Sequence, residues 1–209
     1  ADTTTVTTIT GSAASANTAY AAVILSDTTL AAATLNALND NTTGAIDAST
    51  VTTLTGAALD ANTTFAAGKD GHITNLGNEA VTLNDTSLAT ATLNTLNDNT
   101  TGAVDATTLM TITGSAAHVN TAYTAGIASE IIGLGNEAVT LDDTTLMAAT
   151  LNTLDGNTTG AVDATTLMTI TGSAAHVNTA YTAGMASEII GLGNEAVTLT
   201  DTAVFAETV

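Results

Sequence analysis

The chain has no cysteine, no proline and no tryptophan, and its 209 residues set a single base, Lys69, against 20 acids. Without cysteine there are no disulfides and no thiolate metal sites, and the redox compartment stays open. With one cation, nucleic acid is excluded as a partner, because neutralising phosphates takes clustered Lys and Arg. Anionic membrane surfaces are disfavoured on the same ground. The formal charge of −19 leaves self-repulsion to be relieved by counterions or spacing rather than by ion pairs. Divalent cations or a salty medium are the natural complements, which points outside the cell. Phe and Tyr together number five, so any core is built of Ala, Val, Leu and Ile. No apolar run approaches the roughly 18 residues of a membrane span. The sequence opens without a basic and then apolar leader, so any export signal is expected to have been removed.

What is present is threonine, 49 of them, on a chain that is 44% hydrophobic. That apolar fraction lies outside the regime of disorder, and small side chains suit thin, regular layers. Self-similarity is the dominant signal. VILSDTTLAAATLNALNDNTTG begins at Val23, with relatives at Val81 and Val139 and a fragment, VTLTDTAVFAETV, at Val197, all at one constant step. Residues 102–141 and 160–199 differ only where Ile127 becomes Met185. The first copy is shorter: it passes almost directly from Tyr20 to Val23, where the second carries the whole stretch from Phe65 to Val81.

Each repeat reads as two coils of about 29 residues, each built as strand, corner, strand, short helix. Met110 and Ile112 flank Thr111, and Val139 and Leu141 flank Thr140, the period-two pattern of half-buried strands. Shorter strands are expected before them at 104–106 and 131–134. Helices should follow, with Ser115 and Asp143 at the N-caps. Apolar residues recur at helical spacing in Met147, Leu151 and Leu154, and in Ala116, Val119 and Tyr123. Gly126 and Gly160 stand where left-handed caps belong. The fold class is therefore an α/β solenoid of 58-residue repeats with parallel β ladders on one or two faces. It divides into a shortened first repeat (1–44), two full repeats (45–102 and 103–160) and a truncated fourth (161–209). A single coil cannot bury its own apolar face, so its neighbours must. The opening residues, ADTTTVTTITG, align with the strand half of a coil, and the last residues fall at the helix of the other half. Head and tail are thus in phase, and open ladder edges of this kind template pairing with another chain.

The acids recur with the repeat. Asp27, Asp85, Asp143 and Asp201 form one series, Asp47, Asp105 and Asp163 a second, and Glu79, Glu137 and Glu195 a third. Uniform stacking would align each series in a repelling row, which calcium would relieve. Candidate calcium ligands are the clustered oxygens of Asn39, Asp40 and Asn41, of Asn97, Asp98 and Asn99, and of Asp155 and Asn157, read as loops. None follows the ligand spacing of an EF-hand, and a plain turn is the competing reading. Asn78, Asn136 and Asn194 are expected to form a corner amide ladder. His72, His118 and His176 lack partners for catalysis or metal binding and read as surface residues. Thr8/Thr10, Thr53/Thr55, Thr111/Thr113 and Thr169/Thr171 could order water as an ice-binding face does, but the alternate coil leaves such an array half filled and β-propensity explains the threonines adequately. Because every candidate group is repeated, a unique catalytic centre is hard to build, and no enzyme is expected.

The word order LGNEAVTL, D, T, LNTL, TTGAVDA, TITG, NTAY resembles tandem repeats in very large secreted surface proteins of cyanobacteria and other aquatic bacteria, over essentially the whole chain. The resemblance implies export, residence at the cell surface or in the extracellular matrix, and calcium dependence. The calcium-binding nonapeptide repeats of many such proteins are not found here. The expected role is a structural subunit of an extracellular filament or surface assembly that binds its own kind head to tail. The alternative is an adhesin, or an ice- or glycan-binding stalk segment, of a larger secreted protein.

Overall fold

A computed structural model describes residues 9–11 and 22–202. Expectations that fall on residues 1–8, 12–21 and 203–209 lie outside the described residues. The chain divides into two compact units. One comprises Ala1–Asp85, Thr92–Thr108 and Ala125–Gly133; the other comprises Thr86–Ala91, Leu109–Thr124 and Leu134–Val209.

The first unit holds two sheets whose strands are all parallel. One sheet runs in the order Ile9–Gly11, Val23–Leu25, Ile46–Asp47, Ile73–Thr74. The other runs Thr29–Ala31, Thr53–Gly56, Ala80–Leu83, Val104–Asp105, Ile131–Ile132. The second unit follows the same plan, one repeat further along the chain. Its five-stranded sheet runs Ser87–Ala89, Thr111–Gly114, Ala138–Leu141, Val162–Asp163, Ile189–Ile190, and a three-stranded sheet runs Thr145–Met147, Thr169–Gly172, Ala196–Leu199. Six helices are described: α1 (Ala32–Asn41), α2 (Ala58–Lys69), α3 (Thr90–Asn99), α4 (Ala116–Ile127), α5 (Ala148–Asp155) and α6 (Ala174–Met185). In the first unit α1 packs on α2, and in the second α5 packs on α6. This is the α/β solenoid that the repeat implied.

The registers show what each coil gains from its neighbours. Leu30, Leu54, Val81, Val104 and Ile131 stand in one inward row across five strands, and all five are buried. Burying a side chain of this kind is worth about 1.5–3 kcal/mol, and that gain is realised only against the strand on either side. The helices close the core with Leu35 and Leu38, Ala61 and Phe65, Leu93 and Leu96, Leu151 and Leu154.

Between paired strands the steps are shorter and less uniform than half a repeat, whereas the helix-face bond from Asn62 to Thr92 spans 30 residues. Thr29 pairs with Thr53, an offset of 24 that the Thr52–Thr28 bond shares. Thr53 in turn pairs with Ala80, an offset of 27 that the Ala58–Asp85 bond shares. Two coils therefore fall short of a full repeat, and the remainder carries the chain sideways into a new sheet, as from Ala138 to Thr145 in the second unit. Equivalent strands of successive repeats thus belong to different sheets. This overturns the expected rows of like charge: Asp47 lies between Ile24 and Thr74, Asp105 between Thr82 and Ile132, and Asp163 between Thr140 and Ile190. The T-x-T pairs at Thr53/Thr55, Thr111/Thr113 and Thr169/Thr171 likewise fall in three different sheets.

Helix ends differ from expectation in three ways. Ser115 caps α4 as expected, accepting the His118 N–H at 3.3 Å, and Ser173 does the same for α6. Asp143 does not cap the helix that follows it, and α5 has no side-chain cap. Instead its carboxylate accepts the Ala116 N–H of α4 at 2.7 Å, from one coil later. Asp85 does so for Ala58 and Asp201 for Ala174. Met147, expected on the helix, ends a strand and is exposed. Gly126 lies inside α4, and the left-handed residues after α4 and α6 are Ser129 (φ 63°) and Ser187 (φ 65°).

Candidate functional site: repeated clefts and an open corner

Of the residues proposed from sequence as calcium ligands, all but Asn157, which lies in the turn after α5, stand on helices rather than in loops. Asn39, Asp40 and Asn41 form the last turn of α1, Asn97, Asp98 and Asn99 the last turn of α3, and Asp155 closes α5. Each set is split. Asn41 donates to Ala37 O at 2.8 Å, Asn99 donates to Asn62 Oδ1 at 2.8 Å and accepts from Lys69 Nζ, and Asn157 donates to Asn120 Oδ1 at 3.2 Å. The Asn99 and Asn157 amides join helices. The remaining members line three equivalent clefts. In the first, Asn39 and Asp40 face His72 across about 510 Å³. In the second, Asn97 and Asp98 face Glu130 across about 320 Å³. In the third, Asp155 faces Glu188 across about 540 Å³.

The clefts therefore carry different charge. In the second, Asn97 Nδ2 donates to Glu130 Oε2 at 3.2 Å. In the third, burial, and after it the negative charge of Glu188, raises the Asp155 carboxyl above its ordinary value. Calcium takes six to eight oxygens. The clefts offer two carboxylates at most, and among the described residues no three of His, Cys, Asp and Glu gather to hold a metal. Backbone carbonyls and water would have to supply most of a coordination shell.

Asparagine ladders exist, but on the helices rather than at the corners. Asn36 donates to Asp60 O, Asn62 to Thr92 O, Asn120 to Thr150 O and Asn152 to His176 O, each reaching the next helix at 2.9–3.4 Å. Asn78, Asn136 and Asn194, expected to form the ladder, make no such bond among the described residues, and Asn194 is exposed.

The corners are instead built on buried glutamates, which the sequence suggested only as a third repelling row. Glu137 is fully buried. Its Oε2 accepts the Gly135 N–H at 2.9 Å and the Tyr123 hydroxyl at 3.3 Å. Glu195 repeats this with Gly193 and Tyr181, whereas Glu79 has Phe65 where the others have tyrosine. Burial pushes the Tyr123 hydroxyl up to about 12. The signal available in the sequence was a Tyr 14 residues ahead of each of two LGNE glutamates.

Each complete corner is a socket. Over Glu137, Thr158 Oγ1 donates to Glu137 O at 2.8 Å, Thr159 N to Gly135 O at 2.9 Å, and Val139 N to Ala161 O at 2.9 Å. Gly160 passes so close that a Cβ there would stand 2.2 Å from Glu137 O. Over Glu79, Thr100, Thr101 and Gly102 make the same contacts. The third corner, residues 192–199, has no such cover among the described residues. Val197 and Leu199 are 45% and 44% exposed, against 1–2% for Val81, Leu83, Val139 and Leu141. Compared with protein-family models, with curated proteins and with solved structures, the chain matches none.

Proposed function

We propose that this chain is a structural subunit of an extracellular bacterial filament or surface assembly, extended by adding coils at open ladder edges, and that it is not an enzyme. The observation that carries the reading is the exposure of Val197 and Leu199 on the edge strand Ala196–Leu199, where the same side chains in the two earlier copies are covered. An apolar parallel edge with no further strand on it among the described residues favours association, and the chain's own coils supply the pattern for what covers it. Supporting this, every polar cluster described above occurs in two or three copies, as a scaffold requires and a single reaction centre does not. The charge of −19 suits an ionic, extracellular medium and limits unspecific clumping. The helix-end clefts are the places where divalent cations would relieve that charge.

Sedimentation velocity and negative-stain microscopy test the reading, with calcium and with a chelator. The parent chain should form concentration-dependent linear assemblies, and Val197→Lys should reduce them to single subunits while keeping the parent circular dichroism. Single subunits of the parent at every concentration, in both media, would end the proposal. Assembly lost only with chelator would assign the clefts a calcium role.

A further inference from the structure

We infer that the four methionines of this chain are a sacrificial oxidant trap: each exposed thioether takes one oxygen atom from a hydroperoxide, and the fold is left intact by the change. Methionine is ordinarily a buried residue, a flexible filler of irregular gaps in a core. Here Met110, Met147, Met168 and Met185, which are all the methionines in the sequence, are 61–82% exposed. Among the described residues the buried apolar core consists of Leu, Ile, Val and Ala with Phe65 and Tyr123, and contains no sulfur. All four methionines fall in the second compact unit, and the first has none.

The exposure belongs to the positions rather than to the sulfur. Met110 and Met168 share a repeat position with Thr52, Met147 shares one with Ala31 and Ala89, and Met185 shares one with Lys69 and Ile127; every one of these residues is exposed. At the strand sites the backbone is held while the side chain stands free. The Met110 N–H donates to Thr86 O at 2.9 Å, and Met110 O accepts the Ala138 N–H at 3.0 Å. Met168 does the same with Thr144 and Ala196, at 2.9 Å each. Met147 pairs with Thr171 in the three-stranded sheet, and Met185 ends α6. With no cysteine and no tryptophan in the chain, the thioether is its most easily oxidised group. A sulfur lone pair attacks one peroxide oxygen; the S–O bond forms, the O–O bond breaks, and the departing oxygen takes the proton and leaves as water or alcohol. The sulfur gives up two electrons and the peroxide gains them, so one chain consumes four peroxide molecules. A sulfoxide is polar, and it harms a protein where the side chain must be buried. At these four positions it meets water, as the Thr52 hydroxyl and the Lys69 ammonium already do.

Treatment of the full chain with hydrogen peroxide, read by intact-mass and peptide mass spectrometry, tests this. The parent should gain four oxygen atoms, all at the rate of N-acetylmethionine amide, and should keep its circular dichroism and melting temperature throughout. Leu151→Met, a nearly volume-conserving change at a fully buried site, is the internal comparison. The sulfur it introduces should oxidise many-fold more slowly than the other four, and the melting temperature should drop once it has done so. A variant with all four methionines changed to leucine should consume no peroxide and melt like the parent. Native sulfurs that react as slowly as the one introduced at position 151, a melting temperature that falls as the four oxygens are added, or undiminished peroxide consumption by the leucine variant would each overturn the trap.

Discussion

Replacing Gly160 with alanine tests the socket contact most sharply. The new Cβ would stand 2.2 Å from Glu137 O, 2.4 Å from its carbonyl carbon and 2.7 Å from Ala138 N. All three are backbone atoms, so no side-chain rotation relieves the overlap, and the two segments must separate by roughly 1 Å to reach ordinary contact. Separation stretches the hydrogen bonds from Thr158 Oγ1, Thr159 N and Val139 N, now 2.8–2.9 Å. At about 1 kcal/mol for each bond, with partial uncovering of Val139 and Leu141 added, the cost is about 3–5 kcal/mol. Gly156→Ala is the control. Gly156 has φ −69°, and its added Cβ would meet nothing closer than 3.5 Å, so the change should be neutral or stabilise by about 0.4–1 kcal/mol. Urea titration followed by far-ultraviolet circular dichroism reads both. With a slope of about 1–3 kcal/mol per molar, Gly160→Ala should lower the midpoint by about 1 M or more. A shift as small as that of Gly156→Ala would refute the claim that this glycine exists to permit backbone contact.

Asp143→Ala should cost about 1 kcal/mol, and hydrogen exchange should show faster opening at the Ala116 amide of α4 rather than at the start of α5. Tyr123, held protonated by burial up to about 12, makes the fold sensitive to alkali. Its contribution is complete below the unfolded value near 10 and is lost as pH rises through about 12, so stability should fall across that window and Tyr123→Phe should flatten the fall. For Asp155 the raised value means that the folded state holds its proton better than the unfolded chain does; stability from this group is present at low pH and declines as pH rises through the folded value. Asp155→Asn should therefore raise neutral-pH stability by about a few tenths of a kcal/mol, given the screening at a partly exposed site, and calorimetry at two pH values would show it. Ala180→Thr should add about 1 kcal/mol, because Thr64, its counterpart in α2, donates to Asn36 Oδ1 at 2.7 Å whereas Asn152 Oδ1 is buried without a partner; a lower melting temperature would show that the extra methyl does not fit.

What the sequence determined by itself was whatever depends on local alternation and recurrence. The constant step of the repeat, the parallel ladders, the short strands at Val104–Asp105 and Ile131–Ile132 and the Ser115 cap all follow from period, β-branching and a hydroxyl placed just ahead of a helix. Tertiary structure alone decided which coil touches which. The unequal coils, from Thr29 to Thr53 and from Thr53 to Ala80, are set by how strands and helices pack between neighbours, and the stretch left over displaces each repeat into a new sheet. That displacement dissolved the rows of Asp47, Asp105 and Asp163, sent Asp143 to cap the helix one coil earlier, and moved the asparagine ladder from the corners to Asn36, Asn62, Asn120 and Asn152. Burial of Glu137 was equally hidden, because a carboxylate reads as a surface residue until the N–H of Gly135 and the hydroxyl of Tyr123 are seen to converge on it. A repeat fixes which contacts can be made again and again. The closing of one coil on the next fixes which of them are made.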